Sequence, residues 1–445
     1  MKQTFLAAAL AVSCPTLTAQ AQPAKGAALK FDFGPGKAAP GYKQVLPTAA
    51  YSAAAGFGFD FGTAVTGTDL GGKDALKGDF VASDKPFYFS ADVPEGNYNV
   101  TVTMGDLKGA SSSSLRAESR RLLQQKTETA PGKFFTQTFT VNVKSREISP
   151  GTEVQLKPRE LTKLDWDNKL TLEFNGSRTC LSAVEISPAP ASTVTVFLAG
   201  NSTVVNQEEE PWASWGQMIP RFFKPGVAIA NHAESGLSLG SFLGSKRLDK
   251  VLSVMKPGDY LFVEFGHNDQ KEKGPNDGAY NSYTERMRLF VQETKKKGGI
   301  PVILTSTSRR SFGPDGKISN SLGDYPAAAR KVAQEEGVAL IDLTAMTMQL
   351  YEAIGVEESK KAFVHYPANT YPGQTQDLAD NTHFNPYGAF EIAKCVVEGI
   401  KANKLGLVKF LRNDTPAFDP TKPDALANWN WPESPRAAIA KPDGN

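Results

Sequence analysis

From residue 98 to 104 the chain alternates apolar and polar side chains, Tyr98-Asn99-Val100-Thr101-Val102-Thr103-Met104, and the same period of two recurs at 135–143 and 170–174. Strands with one face in a core and one in water have this pattern. Turn-forming groups lie between them: Pro94-Glu95-Gly96-Asn97, Pro131-Gly132, Ser149-Pro150-Gly151 and Asn175-Gly176. Short strands with regular turns predict an all-β jelly-roll sandwich over residues 27–188. Past the Pro188-Ala189-Pro190-Ala191-Ser192 linker the pattern changes. Apolar runs at 194–198, 227–230, 260–265, 300–305 and 338–341 alternate with helical periodicity around 243–255, 280–297, 326–336 and 386–402. The last helix opens on Pro386, a residue suited to a first helical turn. Apolar strands alternating with helices predict an α/β domain over 193–412, its parallel sheet covered on both faces. Residues 413–445 are Pro-rich, carry Trp429 and Trp431, and are expected to form a strap docked on the protein's own surface.

Composition fits this two-domain reading: 40% of the 445 residues are hydrophobic and 22% charged. Residues 1–21 combine a basic start, a short apolar run and Ala19-Gln20-Ala21, the pattern of a signal peptide cut before Gln22. A secreted or periplasmic location is therefore expected. The apolar run is too short to cross a bilayer, and no later stretch approaches a membrane span. The formal charge of +2 falls to +1 once Lys2, the one charged residue of that leader, is removed. Such a balance implies neither nucleic acid nor an anionic membrane as partner. Beyond the leader, Cys180 and Cys395 remain, and both a bridge and two separate thiols stay open.

Candidate chemistry sits at the ends of the apolar runs. Ser202 follows the 194–198 run in Gly200-Asn201-Ser202-Thr203, where open α/β sheets keep reactive groups. A serine hydroxyl needs a base to take its proton, and the base needs an acid to fix its tautomer. Of four histidines, His383 is the best base, because Asp380 precedes it by three residues on one compact turn. Donors for a developing oxyanion would be the Ser202 amide, the Gly236 amide and the Asn268 side chain. Gly236 equally suits a positive-φ turn, and Asn268 a helix cap. Trp212 and Trp215 are candidates to stack on a sugar, or to anchor the core. Arg309, with Arg310, Lys271 and Lys273, is a candidate to bind a sugar carboxylate. The Glu208-Glu209-Glu210 run could repel an acidic polymer or line a subsite, but such runs more often read as a solvated loop. No metal or nucleotide motif stands out, and no cofactor is expected.

Gly200-Asn201-Ser202-Thr203, Gly236, Gly266-His267-Asn268-Asp269 and Asp380-x-x-His383 match, in order, the four blocks of the SGNH (GDSL-type) hydrolases. The resemblance implies a flavodoxin-like three-layer αβα fold and esterase activity. It also implies Ser202 as nucleophile, His383 as base, Asp380 as its acid, and oxyanion donors at Ser202, Gly236 and Asn268. A narrower resemblance, carried by residues 211–220 and 231–242, is to bacterial rhamnogalacturonan acetylesterases. The N-terminal part, with Phe31-Asp32-Phe33-Gly34, is similar to the galactose-binding-like module many of them carry. An acetylated plant cell-wall polysaccharide is the partner this implies; acetylxylan or another glycan, and a non-catalytic glycan-binding role, stay open. One departure stands out: the first block usually reads Gly-Asp-Ser, and here Asn201 replaces the acid.

Overall fold

A computed structural model describes residues 28–438 and 441–443, so the expected leader at 1–21 lies outside the described residues. In the N-terminal half, antiparallel strands form two sheets around one core. The strand Lys169–Pro188 belongs to both. Its first part pairs with Phe87–Asp92 and Ser111–Ala117; its second pairs with Leu29–Phe33, Asp79–Ser83 and Gly96–Gly105. The crossing point falls at a register break between Asn175 and Arg178. Gly176 is required there, since a Cβ would meet the Ser112 carbonyl oxygen at 2.2 Å. The alternation at 98–104 buries Tyr98, Val100, Val102 and Met104. Phe31, Phe33 and Phe59 of the two Phe-Asp-Phe segments converge on Phe89, with ring centroids 4.9–6.3 Å apart.

The C-terminal half is built on five parallel strands: β1 (Val194–Gly200), β2 (Val227–Asn231), β3 (Tyr260–Glu264), β4 (Ile300–Leu304) and β5 (Ala339–Ile341). Their order is β2-β1-β3-β4-β5, the flavodoxin-like arrangement. Alternate side chains feed two separate cores. Val196, Leu198, Phe262 and Leu304 face one layer of helices, which includes Leu343–Ile354 and Pro386–Ala402. Phe197, Val263 and Ile303 face the other, with Arg247–Val254, Thr284–Lys296 and Tyr325–Glu336. The expected three-layer αβα fold behind an all-β sandwich is present. No described helix is long and apolar enough to cross a membrane.

Several elements differ from expectation. Helix Leu343–Ile354 was not anticipated; the hydroxyls of Thr344 and Thr347, residues of ordinary low helix propensity, are satisfied by the distant Ser306 carbonyl and, one turn back, the Leu343 carbonyl. The helix expected over 243–255 is two pieces, Leu239–Gly244 and Arg247–Val254, split where Lys246 adopts φ +61°. A small hairpin, Phe363–Tyr366 with Leu378–Phe384, was also missed.

The two halves interlock. Arg120 and Arg121, beside a tight turn of the sandwich, reach across: Arg120 donates to the Trp212 carbonyl at 2.7 Å and Arg121 to the Ile229 carbonyl at 3.2 Å. The tail then runs back over both. Trp431 lies over the Arg116 guanidinium at 3.7 Å, and Ser434 bonds the buried Glu173, which pairs with Arg116 at 2.6 Å.

The acidic run at 208–210 is not a solvated loop. Glu210 is 1% exposed, paired with Arg120 at 2.5 Å and bonded by the Trp431 indole at 2.8 Å; Glu208 pairs with Arg436. Three like charges in sequence go to three different surroundings, with Glu209 alone exposed. Cys180 and Cys395 are separate, buried thiols.

Candidate active site

β1 lies between β2 and β3, so its carboxyl end opens at the point where the strand order reverses. Ser202 is placed there by a turn whose hub is Asn201. The Asn201 Oδ1 accepts from the Thr203 amide at 3.1 Å, and its own carbonyl accepts from the amides of Val204 and Val205. Gln207 holds the Ser202 carbonyl at 3.0 Å. The serine is 2% exposed.

His383 comes from the far end of the chain, on the strand Leu378–Phe384. Its register against Phe363–Tyr366 breaks between Asp380 and Phe384, so the three intervening residues bulge. Within the bulge the Asp380 Oδ1 accepts from the amides of Thr382 at 2.8 Å and His383 at 3.0 Å. This local turn is the compact spacing expected from sequence, set inside a strand. Asp380 Oδ2 lies 2.7 Å from His383 Nδ1, and His383 Nε2 lies 2.8 Å from Ser202 Oγ. Acid, imidazole and hydroxyl thus form one continuous chain across 181 residues of sequence. Burial pushes the Asp380 carboxyl up, but the His383 bond and the two amides outweigh it and hold the group at about 2. It is an anion at any working pH, suited to keep the Nδ1 proton and leave Nε2 facing the serine.

Gly236 and Asn268 flank this chain. The segment from Asn231 is anchored to the end of β1 by the Glu234 amide bond to the Gly200 carbonyl, 3.3 Å. Gly236 has φ +79°, a conformation glycine favours. Asn268 follows β3 and donates to the Leu237 carbonyl at 3.0 Å, tying the two loops together.

Behind the Ser202 turn stands a residue the sequence did not single out. Glu264, the last residue of β3, is fully buried; it accepts from the Trp215 indole at 2.5 Å, Thr203 Oγ1 at 2.8 Å and the Thr307 amide at 3.3 Å. Burial raises its carboxyl to about 7, the bonds pulling the other way. Its position at the carboxyl end of a strand was readable, but its role as a hub for three donors was not.

These bonds decide between the two readings of Trp215, against the sugar-stacking one. It is 1% exposed with its nitrogen committed to Glu264, so it anchors the core and offers no face to a sugar. Trp212 is 2% exposed and borders a cavity of about 330 Å³ beside Glu234 and Lys441 without standing out as a platform. Arg309 donates to the Ser321 carbonyl at 3.2 Å and faces Asp380 electrostatically; burial lowers its guanidinium. Arg310 holds the bulge instead, its amide donating to the Asn381 carbonyl at 2.9 Å. Lys271 lies 3.5 Å from the Asn268 Oδ1.

Comparison with known proteins agrees with this architecture. Residues 198–389 match the GDSL-like Lipase/Acylhydrolase family, and residues 29–145 match the Beta-agarase/YXIM esterase-like, galactose-binding domain-like family. The rhamnogalacturonan acetylesterase RhgT of Bacillus subtilis (strain 168) is 44% identical over 216 residues, 48% of this chain and 91% of that protein. The uncharacterized esterase YxiM of the same organism is 28% identical over 383 residues, 84% of this chain and 90% of that one. A crystal structure of the Bacillus subtilis YxiM protein overlaps 85% of this chain and 99% of its own, at a TM-score of 0.45 and 25% identity. The chain belongs to the GDSL-like lipase/acylhydrolase family, as an esterase whose hydrolase domain follows a galactose-binding-like domain.

Proposed function

We propose that the protein is an exported carbohydrate esterase that removes O-acetyl groups from rhamnogalacturonan. The observation that carries the reading is the Asp380–His383–Ser202 hydrogen-bond chain, in a family member 44% identical to a relative named for that activity. Export rests on the leader pattern of residues 1–21.

In this reading His383 Nε2 takes the Ser202 proton as Oγ attacks the acetyl carbonyl, and Asp380 stabilises the imidazolium. The carbonyl oxygen gains negative charge, met by the Ser202 amide, the Gly236 amide and the Asn268 side chain. Collapse breaks the bond to the sugar oxygen, which leaves with the proton from His383. Water, deprotonated by the same nitrogen, then attacks the acetyl-serine, and a second collapse frees acetate and returns the proton to Oγ. Every proton moves through one nitrogen, and no redox step occurs.

Ser202→Ala is expected to abolish acetate release from acetylated pectin while leaving the thermal transition in place. Turnover retained above about a thousandth of the natural rate would overturn the assignment.

A further inference from the structure

The loop containing Pro158–Thr162, at the end of the sandwich half, reaches the hydrolase site with three cations, Lys157, Arg159 and Lys163. Lys163 is spent on Glu234, at 2.7 Å, and Arg159 shares that carboxylate at 2.8 Å. Glu234 is 1% exposed, so it acts as a fixed internal counter-charge that orients the guanidinium. Lys157 and Arg159 also donate to the Ser235 carbonyl, at 2.6 and 2.9 Å, immediately before Gly236. Each has donors left, and both point them to one spot.

That spot holds a carboxylate. Asp443 of the tail places its Oδ2 at 2.7 Å from Arg159 Nη1 and 3.2 Å from Lys157 Nζ. The seat lies directly against Gly236: a Cβ on that glycine would stand 2.8 Å from the Asp443 Cβ. Two residues earlier, Lys441 lies 3.6 Å from Asp380 Oδ2. The tail therefore crosses beside the catalytic chain and carries there an acid held by cations of the other half. Of the other acids of this cavity, Glu208 is matched by Arg436 and Glu234 by Arg159 and Lys163, while Glu209 is exposed to solvent.

We infer that Lys157 and Arg159 form a subsite for a sugar-acid carboxylate of the acetylated polysaccharide, and that Asp443 is its internal occupant. The identity of that ligand rests on the deacetylase reading above. A substrate carboxylate takes the seat by displacing Asp443, and the gain in binding is the difference between two carboxylates on the same cations. The N-terminal half then serves specificity directly, through a loop rather than a sugar-binding face.

The test uses the full chain and two unacetylated probes that are not turned over, trigalacturonate and its carboxyl-reduced, neutral counterpart, titrated by calorimetry. Trigalacturonate is expected to bind at least about tenfold tighter than the neutral sugar, and about tenfold tighter again to Asp443→Asn. Lys157→Gln is expected to remove the preference for the acidic sugar, and Lys157→Arg to keep it. If Lys157→Gln does not fold, Lys157→Arg and Asp443→Asn decide by themselves. Equal affinity for both sugars in the natural chain and in Asp443→Asn, including no binding of either, overturns the subsite. A preference unaffected by Lys157→Gln overturns it as well. Acetate release from acetylated pectin, measured alongside, judges the deacetylase reading separately: its absence with carboxylate-dependent binding intact refutes that reading and supports the subsite.

Discussion

Substituting Asn201→Asp would restore the acid usual in the first block of this family, and the structure argues that it destabilises this chain. Asn201 is fully buried; its Oδ1 serves Thr203, while its Nδ2 has no hydrogen-bond partner among the described residues. An aspartate would replace that nitrogen with a second acceptor facing no donor. Thr203 Oγ1 already lies 3.0 Å from the Asn201 Oδ1 and 2.8 Å from Glu264, so the new carboxylate would stand one shared hydroxyl away from another. One hydroxyl proton cannot satisfy both. Two carboxylates about 5 Å apart, at an effective dielectric of ~20, repel by about 3 kcal/mol. The folded state avoids this by retaining a proton, so the folded pKa of the pair lies above the unfolded values. The unfolded chain then loses its protons first, and stability falls as pH rises. Glu264 alone shows a milder form of the effect, its carboxyl being raised to about 7. Urea unfolding of the natural chain and the variant at pH 5 and pH 8 isolates the added term. Because Glu264 of the natural chain already keeps its proton up to about pH 7, only the last unit adds, and the penalty of Asn201→Asp is expected to grow by about 1.4 kcal/mol between the two. An equal loss at both pH values, or none, would refute the reasoning.

Three further outcomes follow from particular contacts. Arg116→Ala strands the Glu173 carboxylate, since both side chains are fully buried; a loss of about 3–5 kcal/mol is expected by urea unfolding, with faster proteolysis of the tail. Asp380→Asn should lower kcat by about 10³–10⁴ at neutral pH. Because the Asp380 carboxyl is held at about 2, its stabilisation is complete above the ordinary aspartate range and is lost as pH falls toward 2. Acid unfolding of the variant should therefore lack a contribution of about 2 kcal/mol in that window. Adding a thiol reductant should leave the Tm unchanged, because Cys180 and Cys395 are not paired; a fall of several degrees would contradict the arrangement.

Much of the fold was legible because buried strands carry period-two or continuous apolar signals, and short sequence motifs mark their ends. Ser202 and the Asp380–His383 pair were readable for the same reason: each is local. What escaped depends on distant partners. Trp215 looks alike in sequence whether it meets a sugar or Glu264, and only the packing of Trp215–Met218 against the sheet decides. Glu210 reads as surface charge until Arg120, from the other half, and Trp431, from the tail, are brought to it. The three cations between 157 and 163 carry no periodicity, and their meaning appears only when Glu234 and Asp443 arrive.

The tail's seat also sets an order of assembly. Arg116, Glu173 and Ser434 form one buried cluster, and the Arg116–Ser434 bond joins residues 318 positions apart. During synthesis the sandwich emerges early with Arg116 and Glu173 in place, but their third partner lies 261 positions past Glu173, and the Trp431 cover arrives with it. Until then a charged pair destined for the interior stays open to water, at a seam between the halves. A chain interrupted before Trp431 would thus lack a closing piece rather than a loose end, and a protein built this way finishes its first domain only when that distant segment arrives.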